Sequence, residues 1–196
     1  GTYFTNVVVS ESPDWLKNSL KAVGITPKNN VVDITNYVLH TFGHPLHAFD
    51  AAKIKGDSIV IRQATQGEVI TTLDEVERTL DAADLVIADQ NKPLCIAGVL
   101  GGANSGVGNK TTEVYLEGAY FDSISVRKTA KRHGVNTDAS YRYERGVDPN
   151  TTFQAHAYAA ELICELTGAS ASPVDHIGMT DFPRMEITFS FERVCR

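Results

Sequence analysis

The sequence predicts an α+β fold with layered, sandwich-like β-sheets flanked by helices, and three observations carry that expectation. Short strand-like runs crowd residues 58–117. Helical patterns with start and stop signals lie on either side of them. Strands and helices do not alternate regularly, as a parallel βαβ array would require. The length of 196 residues, 42% hydrophobic and 21% charged, suits one domain with short flanking pieces. The expected limits are 1–11 as the end of a preceding segment and 12–180 as the domain, with 181–196 the truncated start of another.

The first helix is expected to be capped by Ser12, with Pro13 in its first turn and Gly24 ending it. Trp15, Leu16, Leu20 and Val23 would form its apolar face. A second helix is expected over Asn30–Phe42, stopped by Gly43 and the His44-Pro45 pair. Six strand-like runs then follow: SIVIR (58–62), EVITTL (68–73), VERTL (76–80), LVIAD (85–89), LCIAG (94–98) and EVYLE (113–117). Asp74-Glu75 occupies a hairpin turn, although Glu is a poor choice for positive φ. Helix returns at Ser123–His133, ended by Gly134, and at about Pro149–Thr167, ended by Gly168. Phe153, Ala157, Ala160 and Cys164 would build the buried stripe of the last helix. The tail MEITFSFERVCR reads as a strand entering a following domain.

Nothing approaches the ~20 apolar residues of a membrane span, and the start lacks the pattern of a secretory signal. Cys95, Cys164 and Cys195 have neither metal-ligand nor redox spacing, so they read as reduced thiols acting as small core residues in a cytoplasmic protein. Net charge is −6, which argues against indiscriminate nucleic-acid binding. The stretch Arg127–Arg145 nonetheless carries +4 and the remainder −10. Such a strip can guide one polyanion without gripping every other; from charge alone a solvated helix face is the favoured account.

Four clusters could carry chemistry. Thr35-Asn36 is followed by HPLHAFD (44–50), whose His44, His47 and Asp50 lack the His-x-x-x-His spacing of a helical zinc site. His47 reads as a site-lining polar group in a loop fixed by Pro45, or as a buried structural histidine. AGVLGGANSG (97–106) follows a strand and can cradle an oxyanion or phosphate with backbone N–H groups. It can also be a plain turn, and it has neither P-loop nor dinucleotide spacing. Glu117 closes an apolar strand, where a buried carboxylate needs a partner and an exposed one does not. RKTAKRHGVNTDASYRYERGVDP (127–149) mixes basic residues with Tyr141, Tyr143, Thr137 and Ser140. No serine sits in a Gly-x-Ser-x-Gly elbow.

Taken together, VVDITNYVLHTFGHPLHAFD (31–50), LCIAGVLGGANSGV (94–107), EVYLEGAYFD (113–122) and residues 127–149 resemble successive motifs of the bacterial phenylalanyl-tRNA synthetase beta subunit, in its central editing domain. SPDWLKNSLKAVGITPKNN also matches, and the likeness spans roughly residues 12–170. It departs from the family at His44 (glutamine expected), Asp74-Glu75 (Asp-Gly expected) and Tyr141 (often histidine). His44 would alter the pocket rim.

The resemblance implies hydrolysis of mischarged Tyr-tRNA(Phe) by water. The physical logic is that a synthetic pocket rejects an added hydroxyl by only ~10², whereas a site that hydrogen-bonds it discriminates by ~10⁴ or more. It implies Glu117 as acceptor for the tyrosine hydroxyl, with the Gly98 N–H donating to the same oxygen. His47 and Asn36 would position the amino acid or the water, beside Thr35. Thr137 and Ala139 would form the wall where the adenosine enters, and Arg127, Lys131 and Arg132 would meet tRNA phosphates. No metal or other cofactor is expected in this domain; ATP and Mg belong to the whole synthetase. The implied partners are the alpha subunit and tRNA(Phe). The alternative is a non-catalytic structural or tRNA-binding module of the heterotetramer.

Overall fold

The computed structural model describes residues 1–56, 58–178, 182 and 186–195. In chain order its elements are β1 (Thr2–Thr5), α1 (Asp14–Ala22), α2 (Asn30–Phe42), β2 (Leu46–Asp50), β3 (Val60–Gln63), β4 (Val69–Thr71), β5 (Glu77–Thr79), β6 (Leu85–Ala88), β7 (Pro93–Ile96), β8 (Leu100–Gly101), β9 (Val114–Gly118), α3 (Ser123–His133), α4 (Asp138–Tyr143), α5 (Thr151–Thr167), β10 (Ser170–Ala171) and α6 (Phe191–Val194). One antiparallel sheet has the order β10-β1-β9-β2 and a second β3-β6-β7-β8, while β4 and β5 form a separate ribbon. The fold is α+β with layered sheets, as expected.

The pleat of the first sheet sorts its residues between two cores. Successive side chains of a strand point to opposite faces. Ala48 on β2 and Val114 and Leu116 on β9 therefore join Leu16, Leu20, Ile34, Val38, Ala159 and Ile163 from α1, α2 and α5. Phe49 and Tyr115 point the other way, into a core built from β6, β7, α3 and α4 with Ile87, Leu94, Ile96, Val126 and Tyr143. His47 stands opposite Glu117 in the β2–β9 register. Both share the parity of Phe49 and Tyr115, so both face the gap between the sheets.

The helix limits follow from local chemistry. The Asn29 carboxamide accepts from the Val32 N–H at 2.9 Å to cap α2, and Gly43 ends it at φ 70°. Asp122 caps α3 through Ser125, and Gly134 closes it at φ 62°. Glu75 does take the positive φ of its hairpin turn, at 62°. Thr72, Asp74 and Arg78 hold that turn, with Arg78 donating to both Asp74 oxygens at 2.8 and 2.7 Å.

Several expectations are corrected. Ser12 caps nothing: its buried hydroxyl donates to Asp33 at 2.6 Å, and Pro13 takes the cap position of α1. The buried face of α1 is Leu16 and Leu20 alone. Trp15 is 44% exposed, resting edge-on against Tyr37, and Val23 is exposed. On α5 the buried stripe is Ala155, Ala159, Leu162 and Ile163, with Phe153 41% exposed at the periphery. Alanines at 155, 157, 159 and 160 make several faces small enough to pack, so phasing on the aromatic residue chooses the wrong one. The helix begins two residues after Pro149. HPLHAFD, read as a loop, supplies β2, and residues 1–11 supply β1 next to β9 in the first sheet. In the tail, Met185 and Arg196 lie outside the described residues; among the described residues 186–190 pair with no strand, and Phe191–Val194 is a short helix. Cys95 is buried, Cys164 half-buried and Cys195 exposed, so Cys195 is no core residue. Among the described residues no helix is long and apolar enough to cross a membrane.

Candidate functional site

A cavity of about 210 Å³ opens between the two sheets, walled on its remaining sides by α2, α4 and the loop after β7. Thr35, Asn36, His47, Gly98, Glu117, Thr137 and Ala139 all line it. Five segments separated by up to about a hundred residues in the chain thus supply every candidate of the amino-acid pocket.

Among the described residues, two of these side chains carry an enclosed polar atom without a hydrogen-bond partner. Glu117 is half-buried as a residue, yet its Oε1 is wholly enclosed and accepts no hydrogen bond. Burial pushes its carboxyl up to about 7. The His47 Nε2 is likewise enclosed and unpartnered, and burial lowers its imidazole to about 4. His47 is therefore neutral near pH 7 and packs edge-on against Phe49 at 4.4 Å between ring centres. An orphaned buried polar atom costs ~1–3 kcal/mol, so two in one cavity mark a place prepared for a polar ligand.

The other lining residues play distinct parts. Gly98 sits at φ 68°, and a Cβ there would come within 2.8 Å of Phe121 and 3.0 Å of Val126. Among the described residues its N–H makes no hydrogen bond. The Thr35 hydroxyl donates to its own helix, to the Val32 carbonyl at 2.7 Å, and can still accept. Thr137 is occupied structurally: its hydroxyl caps α4 in a reciprocal box with Ser140 and donates to the Val99 carbonyl at 2.7 Å. Ala139 presents only a methyl group. The Cys95 thiol also lines the cavity, but burial raises it well above its usual value, so it is no ready thiolate nucleophile.

Sequence reasoning missed Gly101, which lies against the imidazole: a Cβ there would meet His47 Cε1 at 2.7 Å. The run of glycines was the available signal, although it pointed to an anion cradle. Its amides and carbonyls are largely spent on packing instead. Gly102 N–H donates to the Leu94 carbonyl, Leu73 N–H to the Gly101 carbonyl, and the Ser105 hydroxyl to Leu94, all at 2.9 Å.

His44 is not on the rim. It is 1% exposed behind the cavity wall, with Nε2 3.1 Å from the Ala119 carbonyl. His44, His47 and Asp50 do not converge: Asp50 lies on the opposite face of β2 from His47 and accepts from Thr111 and Ala52. Among the described residues no group of three or more His, Cys, Asp or Glu side chains is arranged to hold a metal ion.

The basic strip divides. Arg132 pairs with the buried Asp84, and Arg142 and Arg145 pair with Asp138 and Glu144. Arg127, Lys128 and Lys131 are exposed on α3 and make no ion pair among the described residues. Asp84 also accepts from the Asp81 N–H, Thr129 and His133. Burial alone would raise its carboxyl, but those donors outweigh it and hold it low.

Fold and cavity together define a two-sheet α+β domain with an open, polar-tipped pocket between the sheets. The chain belongs to the B3/4 domain family, whose pattern matches residues 1–168. Among curated proteins it is 49% identical to the phenylalanine--tRNA ligase beta subunit of Porphyromonas gingivalis, covering 99% of this chain and 24% of that one. It is 51% identical to the beta subunit of Bdellovibrio bacteriovorus over 90% of this chain and 22% of that one. The chain thus spans about a quarter of the length of the relatives it matches. A solved N-terminal fragment of the phenylalanyl-tRNA synthetase beta-subunit from Pyrococcus horikoshii is 13% identical, with a TM-score of 0.48, covering 87% of this chain and 45% of that one.

Proposed function

We propose that this domain is the editing site of a phenylalanyl-tRNA synthetase beta subunit, clearing tyrosine from tRNA(Phe) by ester hydrolysis. The observation that carries the reading is the pair of orphaned polar atoms, Glu117 Oε1 and His47 Nε2, set on one face of the first sheet inside a largely apolar cavity. A phenol hydroxyl entering that cavity donates to the Glu117 carboxyl, and the Gly98 N–H donates back to the phenol oxygen. A phenylalanine ring leaves both groups unpaired, and this penalty is the basis of discrimination.

In the reaction, a water oxygen attacks the ester carbonyl carbon, the bond to the terminal ribose oxygen breaks, and the water's proton ends on that departing oxygen. Neutral His47 is a weak base at about 4, so its role is to orient the water or the amino acid, with Asn36 across the cavity. Rate arises from positioning, aided by the tRNA's own terminal hydroxyl. Ala139 leaves room for the adenosine, and Arg127 and Lys131 meet the phosphates beyond it. The domain works beside an alpha subunit that performs aminoacylation.

The test is hydrolysis of Tyr-tRNA(Phe) and Phe-tRNA(Phe) by the full beta subunit in its complex. Clearance of the tyrosyl ester with sparing of the phenylalanyl ester is expected. Clearance of neither would make the domain a scaffold.

A further inference from the structure

We propose that His44 is a positioning residue, buried behind the pocket, that sets the spacing of Glu117 from His47 and so the recognition of the tyrosine hydroxyl; this rests on the editing reading above.

His44 lies three residues before His47, at the approach to β2. Its Nε2 meets the Ala119 carbonyl, two residues beyond Glu117 on the chain leaving β9. That one contact ties together the ends of the two strands that carry the orphaned groups. The same carbonyl takes a second donor, the Tyr143 hydroxyl at 3.0 Å, which also reaches the Pro45 carbonyl at 3.2 Å. Tyr143 in turn lines the cavity, stands edge-on to His44 and Phe121, and lies within van der Waals reach of a Cβ at Gly98. His44, Ala119, Pro45 and Tyr143 therefore form one closed unit beneath Glu117, His47 and Gly98.

The chemistry of the unit is specific. A carbonyl only accepts, so Nε2 carries the hydrogen and Nδ1 is left as a bare lone pair. That Nδ1 is enclosed and has no partner among the described residues. A residue kept solely to fill space would be cheaper without that lone pair. What His44 supplies is the donor to Ala119, which leucine cannot provide and glutamine can, through its amide N–H.

The test uses the full beta subunit in its complex, comparing wild type with His44→Leu, His44→Gln and Tyr143→Phe, each checked for an unchanged far-ultraviolet spectrum and assembly. For His44→Leu the expected result is a KM for Tyr-tRNA(Phe) raised about tenfold, with tyrosine-over-phenylalanine discrimination reduced by a similar factor. His44→Gln restores both to within about threefold of wild type. Tyr143→Phe moves the same parameters, and the double variant with His44→Leu is less than the product of the singles, since both donors serve one carbonyl. If His44→Leu folds and discriminates like wild type, or if Gln fails wherever Leu fails, the positioning role is overturned while the editing reading stands. If the wild type itself clears neither ester, the editing reading falls, and the role of His44 falls with it.

Discussion

Burial holds the Glu117 carboxyl at about 7 and the His47 imidazole at about 4, so near neutrality the first sits at its titration point and the second is uncharged. A carboxylate accepts a phenol hydrogen more strongly than a neutral acid does. The kcat/KM for the tyrosyl ester is therefore expected to climb as pH rises through about 7, and Glu117→Gln should flatten that limb; a pH–rate profile on both proteins checks it. At the mouth, Ala139 contributes only a methyl group beside the Thr137 cap. Ala139→Phe is expected to cut kcat/KM about tenfold or more for both esters while leaving Tm within a degree or two, measured by single-turnover hydrolysis and thermal melting.

These residues were partly legible beforehand. Glu117, His47, Gly98, Thr35, Asn36, Thr137 and Ala139 were all named from ordered motifs, and they do share a cavity. The orphaned state of Glu117 and His47 was not legible, because it depends on which face of each strand a residue takes and on what lies opposite. Gly101 escaped notice, and His44 was placed on the rim rather than behind the wall, for the same reason: their contacts are with segments distant in the chain.

At the level of elements, α4 is the piece that places one wall of the pocket. It is only six residues long, too short to persist without tertiary support, and Thr137 supplies both its cap and its tether to Val99. Thr137→Ala is expected to lower stability by about 1–2 kcal/mol, read as a fall in Tm, with Thr137→Ser recovering most of it. The sequence shows the strong helix signals well, since the limits of α2 and α3 are set by local caps and glycines. It shows β2 poorly, since Pro45 and two histidines disguise a strand whose hydrogen bonds come from β9. The face of α5 is misread because alanine is small enough for any side.

For the whole molecule, the two perturbed groups pull stability in opposite directions. Glu117 holds its proton up to about 7 when folded but only to about 4.5 when unfolded, so its contribution is lost as pH rises across that window. His47 takes a proton at about 6.5 when unfolded but only at about 4 when folded, so its contribution is lost as pH falls from 6.5 to 4. Each effect is about 3 kcal/mol, and between 4.5 and 6.5 they nearly cancel. In Glu117→Gln the cancellation is removed, and denaturation midpoints are expected to fall as pH drops through that range, more steeply than in wild type. Charge is also divided at this scale, with the basic strip lying on an acidic body. Reversing Arg127 and Lys131 together is expected to weaken tRNA binding and reduce its salt dependence by about two phosphate contacts, measured as affinity against salt concentration. Arg132→Ala should act on stability instead, because its partner is Asp84.

The most direct test of the central claim, that Glu117 reads the tyrosine hydroxyl, is the ratio of Tyr-tRNA(Phe) to Phe-tRNA(Phe) hydrolysis by the full complex, wild type against Glu117→Ala. A collapse of that ratio in the variant, with assembly intact, is the predicted result. An unchanged ratio would contradict the assignment.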